Sequence, residues 1–301
     1  MRRRTFLQTA GALLVASAAP GAQARATAGA YDAFEKTIRD LQADMTSGAT
    51  TAVDLVRFYL RRIAALDQMG PRLNAVIALN PRAEAVAASL DAERRRGTTR
   101  GPLHGIPVLL KDNLDTADLP TTGGCLALSG RVPRTDAFQV RRLREAGAVV
   151  LGKVNLHELA LGLTTVSSFG GQTLNPYDLA RAPGGSSGGS GVAAAANFAA
   201  FTLGTDTSGS IRIPASHNAV VGLRPTAGLS SRSGVIPFGH SQDTAGPIAR
   251  NVADVAVVLD ATVGHGPADP VTAASEGKTP ASYTSSLRAD ALRGARVGVL
   301  T

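Results

Sequence analysis

Tryptophan is absent from the 301 residues, and aromatic residues make up only 4% of them. That scarcity argues against the flat platforms on which proteins stack bases or sugar rings. The chain has a single cysteine, Cys125, so no internal disulfide can form and the fold must rest on a packed core. With no motif around it, Cys125 reads as a small buried hydrophobe rather than a nucleophile. The five histidines, His104, His157, His217, His240 and His265, show no metal-ligand spacing, so no metal is expected. No Lys/Arg run is interleaved with aromatics, and Arg94 to Arg96 read as a solvated helix end, so no nucleic-acid partner is expected.

Long apolar runs are missing too. The stretch from Ala10 to Ala19 is uncharged but well short of the ~20 residues that a membrane span needs. It follows Arg3, Arg4, Thr5, Phe6 and Leu7 and precedes Ala22-Gln23-Ala24, the order of an export signal, and the paired arginines point to the twin-arginine route. Residues 1–24 are therefore expected to be removed on export to the periplasm or beyond, leaving no stable membrane anchor. Their loss would take away three arginines and no acid, so part of the formal charge of +8 belongs to the signal.

What is abundant is small and apolar, with 33 glycines and 44% hydrophobic residues, a composition suited to a compact α/β core. Phe34, Ile38, Leu41 and Met45 repeat at helical spacing, as do Val56, Tyr59, Leu60 and Ile63 after Thr51 and Asp54, which form a near capping box. Leu73 to Leu79 reads as a strand, and Asn80-Pro81 opens an Ala-rich helix. Beyond it the pattern alternates: strand Val108 to Leu110, helix Asp136 to Ala146, strand Val149 to Leu151, helix Val192 to Ala200, strand Phe201 to Leu203, strand Val220 to Leu223, helix Val252 to Val263. Such alternation predicts an α/β fold with a mixed, largely parallel sheet covered by helices on both faces. From Gly264 to Thr284 the composition suggests a surface linker, and Arg296 to Thr301 looks like the start of a strand, as if residues 25–301 were a domain truncated at its C-terminus.

Three segments carry chemistry. Gly184-Gly185-Ser186-Ser187-Gly188-Gly189-Ser190-Gly191 runs straight into an Ala-rich helix, unlike a loose linker, and no Lys-Ser or Lys-Thr follows as in a phosphate loop. Gly204-Thr205-Asp206-Thr207-Ser208-Gly209-Ser210-Ile211-Arg212 lies past the carboxyl end of a predicted strand, the edge of a parallel sheet where ligands gather. There the N–H groups of Thr207, Ser208, Gly209 and Ser210 are placed to stabilise an oxyanion beside the Ser210 hydroxyl, although Ser210 would also serve as a plain helix cap. Lys111 directly follows the apolar Val108-Leu109-Leu110, which makes it a candidate for a buried lysine able to act as a base.

Together these segments resemble the amidase signature family. Lys111, Ser186 and Ser210 match its triad of lysine, serine held by a cis peptide, and nucleophilic serine, and their separations of 75 and 24 positions agree with the family's spacing. The likeness extends through Gly101-Pro102-Leu103-His104-Gly105, Gly152-Lys153, Gly222-Leu223-Arg224-Pro225-Thr226 and Asp243-Thr244-Ala245-Gly246-Pro247. The resemblance implies the amidase signature fold and hydrolysis of a small-molecule or peptide carboxamide through an acyl-enzyme, without cofactor. Ser187, Asp206 and Arg212 would support the site, Ser187 by orienting Lys111. The export signal separates the chain from the family's tRNA-dependent amidotransferase members, and exported peptide amidases resemble it well. Which amide is cleaved, and the oligomeric state, stay open.

A competing reading takes Gly184-Gly185-Ser186-Ser187-Gly188 as the Gly-x-Ser-x-Gly elbow of an α/β-hydrolase, with Ser186 as nucleophile. An elbow follows a buried strand, whereas residues 175–183 hold two prolines and several polar side chains. A further alternative is an inactive fragment whose triad is present but poorly supported.

Overall fold

The structure is a computed structural model that describes residues 31–298. The expected signal at residues 1–24 and the last residues of the expected terminal strand lie outside the described residues.

Helix α1 (Ile38–Ser47) and helix α2 (Ala52–Ile63) open the described chain, each with a full capping box, Thr37 with Asp40 and Thr51 with Asp54. Each threonine accepts an otherwise unpaired N–H of the first turn while the aspartate three residues on accepts the cap's own N–H. Their apolar stripes, Ile38, Leu41 and Met45 on α1 and Leu55, Val56, Tyr59 and Ile63 on α2, are buried in the main core. A short π-helix (Ala64–Gln68) extends α2. Strand β1 (Val76–Leu79) and helix α3 (Ala83–Arg95) follow.

Six strands form the main sheet in the order β1-β3-β2-β6-β8-β7, with β2 at Pro107–Lys111, β3 at Val149–Val154, β6 at Phe201–Asp206, β7 at Val221–Gly222 and β8 at Thr244–Ala249. A two-stranded ribbon, β4 (Val166–Ser167) and β5 (Gly171–Gln172), stands apart. Strands β3, β2 and β6 pair in parallel, while β1 and β8 run antiparallel to their neighbours. As β7 also opposes β8, β3, β2, β6 and β7 all point the same way. Every residue of β2, β3, β6 and β8 is buried, so both faces of the sheet are covered, as the unalternating apolar runs predict. Helix α4 (Phe138–Glu145) joins β2 to β3, and α5 (Gly188–Ala195) packs on β6 and β2 with the short α6 (Arg212–His217) beside it. Helix α7 (Val252–Thr262) packs on β8.

Two expectations need correction. Strand β8 is not among the elements expected from the sequence, and it forms although it contains Gly246 and Pro247, residues that disfavour strands. Pro247 pairs across from Leu203, and its carbonyl accepts the Leu223 N–H at 3.1 Å, so the missing donor does not end the strand. The 264–284 segment is more than a surface linker: a 3-10 turn spans Pro270–Ser275, Thr272 is buried, and Asp269 forms a 2.6 Å ion pair with Arg232.

Candidate active site

The three segments meet at the carboxyl ends of β2 and β6. Lys111 is the last residue of β2, and Leu110 beside it pairs with Leu203, so the register sets Lys111 next to the Gly204-Thr205 end of β6. The Lys111 side chain is fully buried. Its Nζ lies 2.7 Å from Ser186 Oγ, 2.8 Å from Thr205 Oγ1 and 3.4 Å from the Thr205 carbonyl oxygen. Burial drives its pKa from an ordinary 10.5 down to about 7, against the weaker pull of Asp206 and Asp243. No carboxylate among the described residues lies within ion-pair distance of it.

Lys153 provides the contrast. It pairs with Leu110 on the adjacent strand and is equally buried, but its Nζ lies 2.9 Å from Asp112 Oδ1 and bonds the Leu114 carbonyl and Thr121 Oγ1. Burial lowers its pKa too, opposed by Asp112. A lysine held by a carboxylate and several acceptors suits a structural cation; one held by hydroxyls suits proton exchange.

Ser186 sits where the glycine-serine segment turns into α5, and the Gly185-Ser186 peptide bond is cis. Its backbone oxygen accepts the His157 N–H at 3.0 Å. Glycine is required in the first turn of α5, since a Cβ on Gly189 would stand 2.2 Å from the Asn155 carbonyl oxygen. The helix therefore begins inside the glycine run, at Gly188, four residues before the expected start at Val192. No strand precedes Ser186 after β5, which removes the support that the elbow reading needs.

Ser210 lies two residues ahead of helix α6, 6% exposed, and its carbonyl accepts the Ser187 N–H at 3.1 Å. That bond ties the two serine segments together. Among the described residues no hydrogen bond joins Ser186 Oγ to Ser210 Oγ; such contacts often tighten only when substrate binds.

Asp206, at the end of β6, organises the loop. Its carboxylate accepts the N–H groups of Gly209 at 2.7 Å and Ile211 at 3.0 Å, and the Arg212 guanidinium closes on it at 3.1 Å. Burial pushes the Asp206 pKa up, but Arg212 and these N–H groups outweigh it and hold the carboxyl below its ordinary range. One part of the expected oxyanion site changes as a result. The Gly209 N–H is already engaged by Asp206, so it is not available as drawn from the sequence. Thr207, Ser208 and Ser210 make no backbone N–H bond among the described residues and remain the donors on offer.

Ser187 also differs from expectation. Its hydroxyl does not touch Lys111; it donates to the Thr205 carbonyl at 3.0 Å and accepts the Thr205 N–H at 3.2 Å. The residue that bonds Lys111 is Thr205, which the sequence reading passed over. Asp243 was likewise missed as a site residue. It accepts from the Thr207 hydroxyl and, at 2.8 Å, from the Phe238 N–H, joining the 238–243 loop to the serine loop. Cys125 is half-buried, not buried, and borders Glu158 rather than the triad. A cavity of about 1380 Å³ lies elsewhere, between α1, the end of α3 and residues 282–287, and none of the three candidate residues lines it.

Known proteins resemble the chain in sequence and in fold. A putative amidase of Schizosaccharomyces pombe is 45% identical over 274 residues, 88% of this chain and 46% of that protein. A probable amidase of Arabidopsis thaliana is 45% identical over 275 residues, 88% of this chain and 53% of its own length. Among solved structures, the peptide amidase of Stenotrophomonas maltophilia superposes with a TM-score of 0.82 at 56% identity, covering 84% of this chain and 53% of that one. The chain thus spans about half the length of the relatives it matches. The family model described as Amidase matches residues 54–301, which include all three site segments, and the chain belongs to that family.

Proposed function

We propose that this chain carries the catalytic site of an amidase that hydrolyses a carboxamide to a carboxylate and ammonia or an amine, with Ser210 as nucleophile. The observation that carries the reading is the fully buried Lys111, without a carboxylate partner and 2.7 Å from Ser186 Oγ. A lysine with a pKa of about 7 is largely neutral just above neutrality and can take a proton. As Ser210 Oγ attacks the carbonyl carbon, its proton passes to Ser186 Oγ while the Ser186 proton passes to Lys111 Nζ. A hydroxyl suits the middle position because it donates and accepts at once. The oxyanion that forms is met by the N–H groups of Thr207, Ser208 and Ser210. Collapse expels the amine, which takes the proton back from Lys111 through Ser186, and water then cleaves the acyl-enzyme by the same relay.

A peptide C-terminal amide is the first substrate to try, because the solved relative from Stenotrophomonas maltophilia is named a peptide amidase. Ammonia release should rise with pH through about 7, as Lys111 loses its proton. Ser210→Ala and Lys111→Ala should each abolish it with the circular dichroism spectrum unchanged. Substantial activity left in either folded variant would refute the assignment.

A further inference from the structure

The geometry points to Thr205 as the positioning residue of Lys111: its hydroxyl and carbonyl take the two N–H bonds of the neutral amine, which leaves the lone pair aimed at Ser186 Oγ. This rests on the reading of Lys111 as the base. A neutral amine has two N–H groups and one lone pair, and Lys111 Nζ has three oxygen neighbours. The Thr205 carbonyl, at 3.4 Å, can only accept. Were the hydroxyl of Thr205 at 2.8 Å not to accept as well, the second N–H would turn to Ser186, and the amine would have no lone pair with which to receive the Ser186 proton.

Thr205 is itself fixed on three sides. Asn113 Nδ2 donates to its Oγ1 at 3.0 Å, and its backbone N–H and carbonyl are both bonded by Ser187 Oγ. The second serine of the glycine-serine segment thus acts on Lys111 through Thr205. That route explains why Ser187 is buried beside the lysine without touching it. Thr205 is 5% exposed and is held in β6 opposite Ala245, so its rotamer is not free to follow the lysine.

The test uses Thr205→Val, which keeps the shape and removes the acceptor, Thr205→Ser, which keeps the acceptor, and Thr205→Ala in case valine does not fold. Lys111 is titrated directly, by the NMR shift of its ε-carbon in lysine-labelled protein, alongside ammonia release. An acceptor favours the ammonium over the amine, so its loss should lower the Lys111 pKa by about half a unit or more in the valine and alanine variants. In the same variants ammonia release above the pKa should fall roughly tenfold or more, as expected of a misdirected base. The serine variant should match wild type in both. Equal titration in wild type, valine and alanine variants would overturn the proposal. So would a lowered pKa with full activity, since the lone pair would then need no aiming. A wild-type chain that releases no ammonia would count against the proposed function, while the titration contrast would still decide whether Thr205 holds the lysine.

Discussion

Lys111 and Lys153 stand on neighbouring strands, both sealed from water, and differ in their partners: one has hydroxyls, the other a carboxylate. Desolvation of an ammonium favours the neutral form, and without a paired carboxylate the weaker pull of Asp206 and Asp243 does not restore the charge. The consequence for stability has a definite sign. Below pH 7 both the folded and the unfolded chain carry a charged Lys111. Between about 7 and the ordinary 10.5 the folded chain has lost the proton and the unfolded chain keeps it, so the cost of burying the ammonium, full below pH 7, is relieved as pH rises, and comparison with a chargeless variant reads it directly. In linkage terms the unfolded state binds more protons in this window, and stability rises with pH through it. Lys111→Met removes the buried charge, so its advantage over wild type should be greatest at pH 6, still large at pH 8, and smaller by about 1 kcal/mol or more at pH 9 than at pH 6, at roughly 1.4 kcal/mol per pH unit less relaxation of the site. Urea midpoints at pH 6 and pH 9 measure this, and an advantage that stays constant or grows would contradict a lowered pKa. At this scale Lys111 was legible in the sequence because three aliphatic residues directly precede it. Thr205 was not, because its contact with Lys111 depends on the register of β2 against β6, which neither segment spells out alone.

The elements show how small residues make room for chemistry. Helix α5 carries glycine at Gly188, Gly189 and Gly191, poor helix formers, where close approach of Thr165, of the Asn155 backbone and of Asn218 with the Pro214 carbonyl outweighs propensity. Gly189→Ala should push its methyl against the Asn155 carbonyl and destabilise the chain by about 1–3 kcal/mol, as overpacked sites do. Chemical denaturation checks this, and a neutral substitution would mean that α5 can shift outward at little cost. Because Ser186 lies just two residues ahead of the helix, the same variant should weaken amide hydrolysis by more than its loss of stability explains. Helix positions were readable from apolar spacing and caps, as with Thr37 and Thr51. Strand β8 was not, since its glycine and proline are local breakers that pairing with β6 overrides. Part of the oxyanion site was hidden for a similar reason: Asp206 reaches forward to take the Gly209 N–H, a bond that only the folded turn reveals.

At the scale of the whole molecule, segments 75 and 24 residues apart come together because β2 and β6 are adjacent and parallel, so their carboxyl ends share one edge of the sheet. The glycine-serine segment closes over that edge through the Ser187 N–H bond to the Ser210 carbonyl. The α/β class and the three motifs were legible from alternation and spacing, whereas the mixed strand directions at β1 and β8 required the fold. The chain spans about half the length of its relatives, so the proposed function requires that residues within it assemble a working serine nucleophile. The most direct measurement is labelling of the folded 301-residue chain with a fluorophosphonate probe, followed by peptide mass spectrometry to locate the modified residue. A single label on Ser210, lost in Lys111→Ala, is the expected result. A label on Ser186, or no label on a chain shown to be folded, would contradict it.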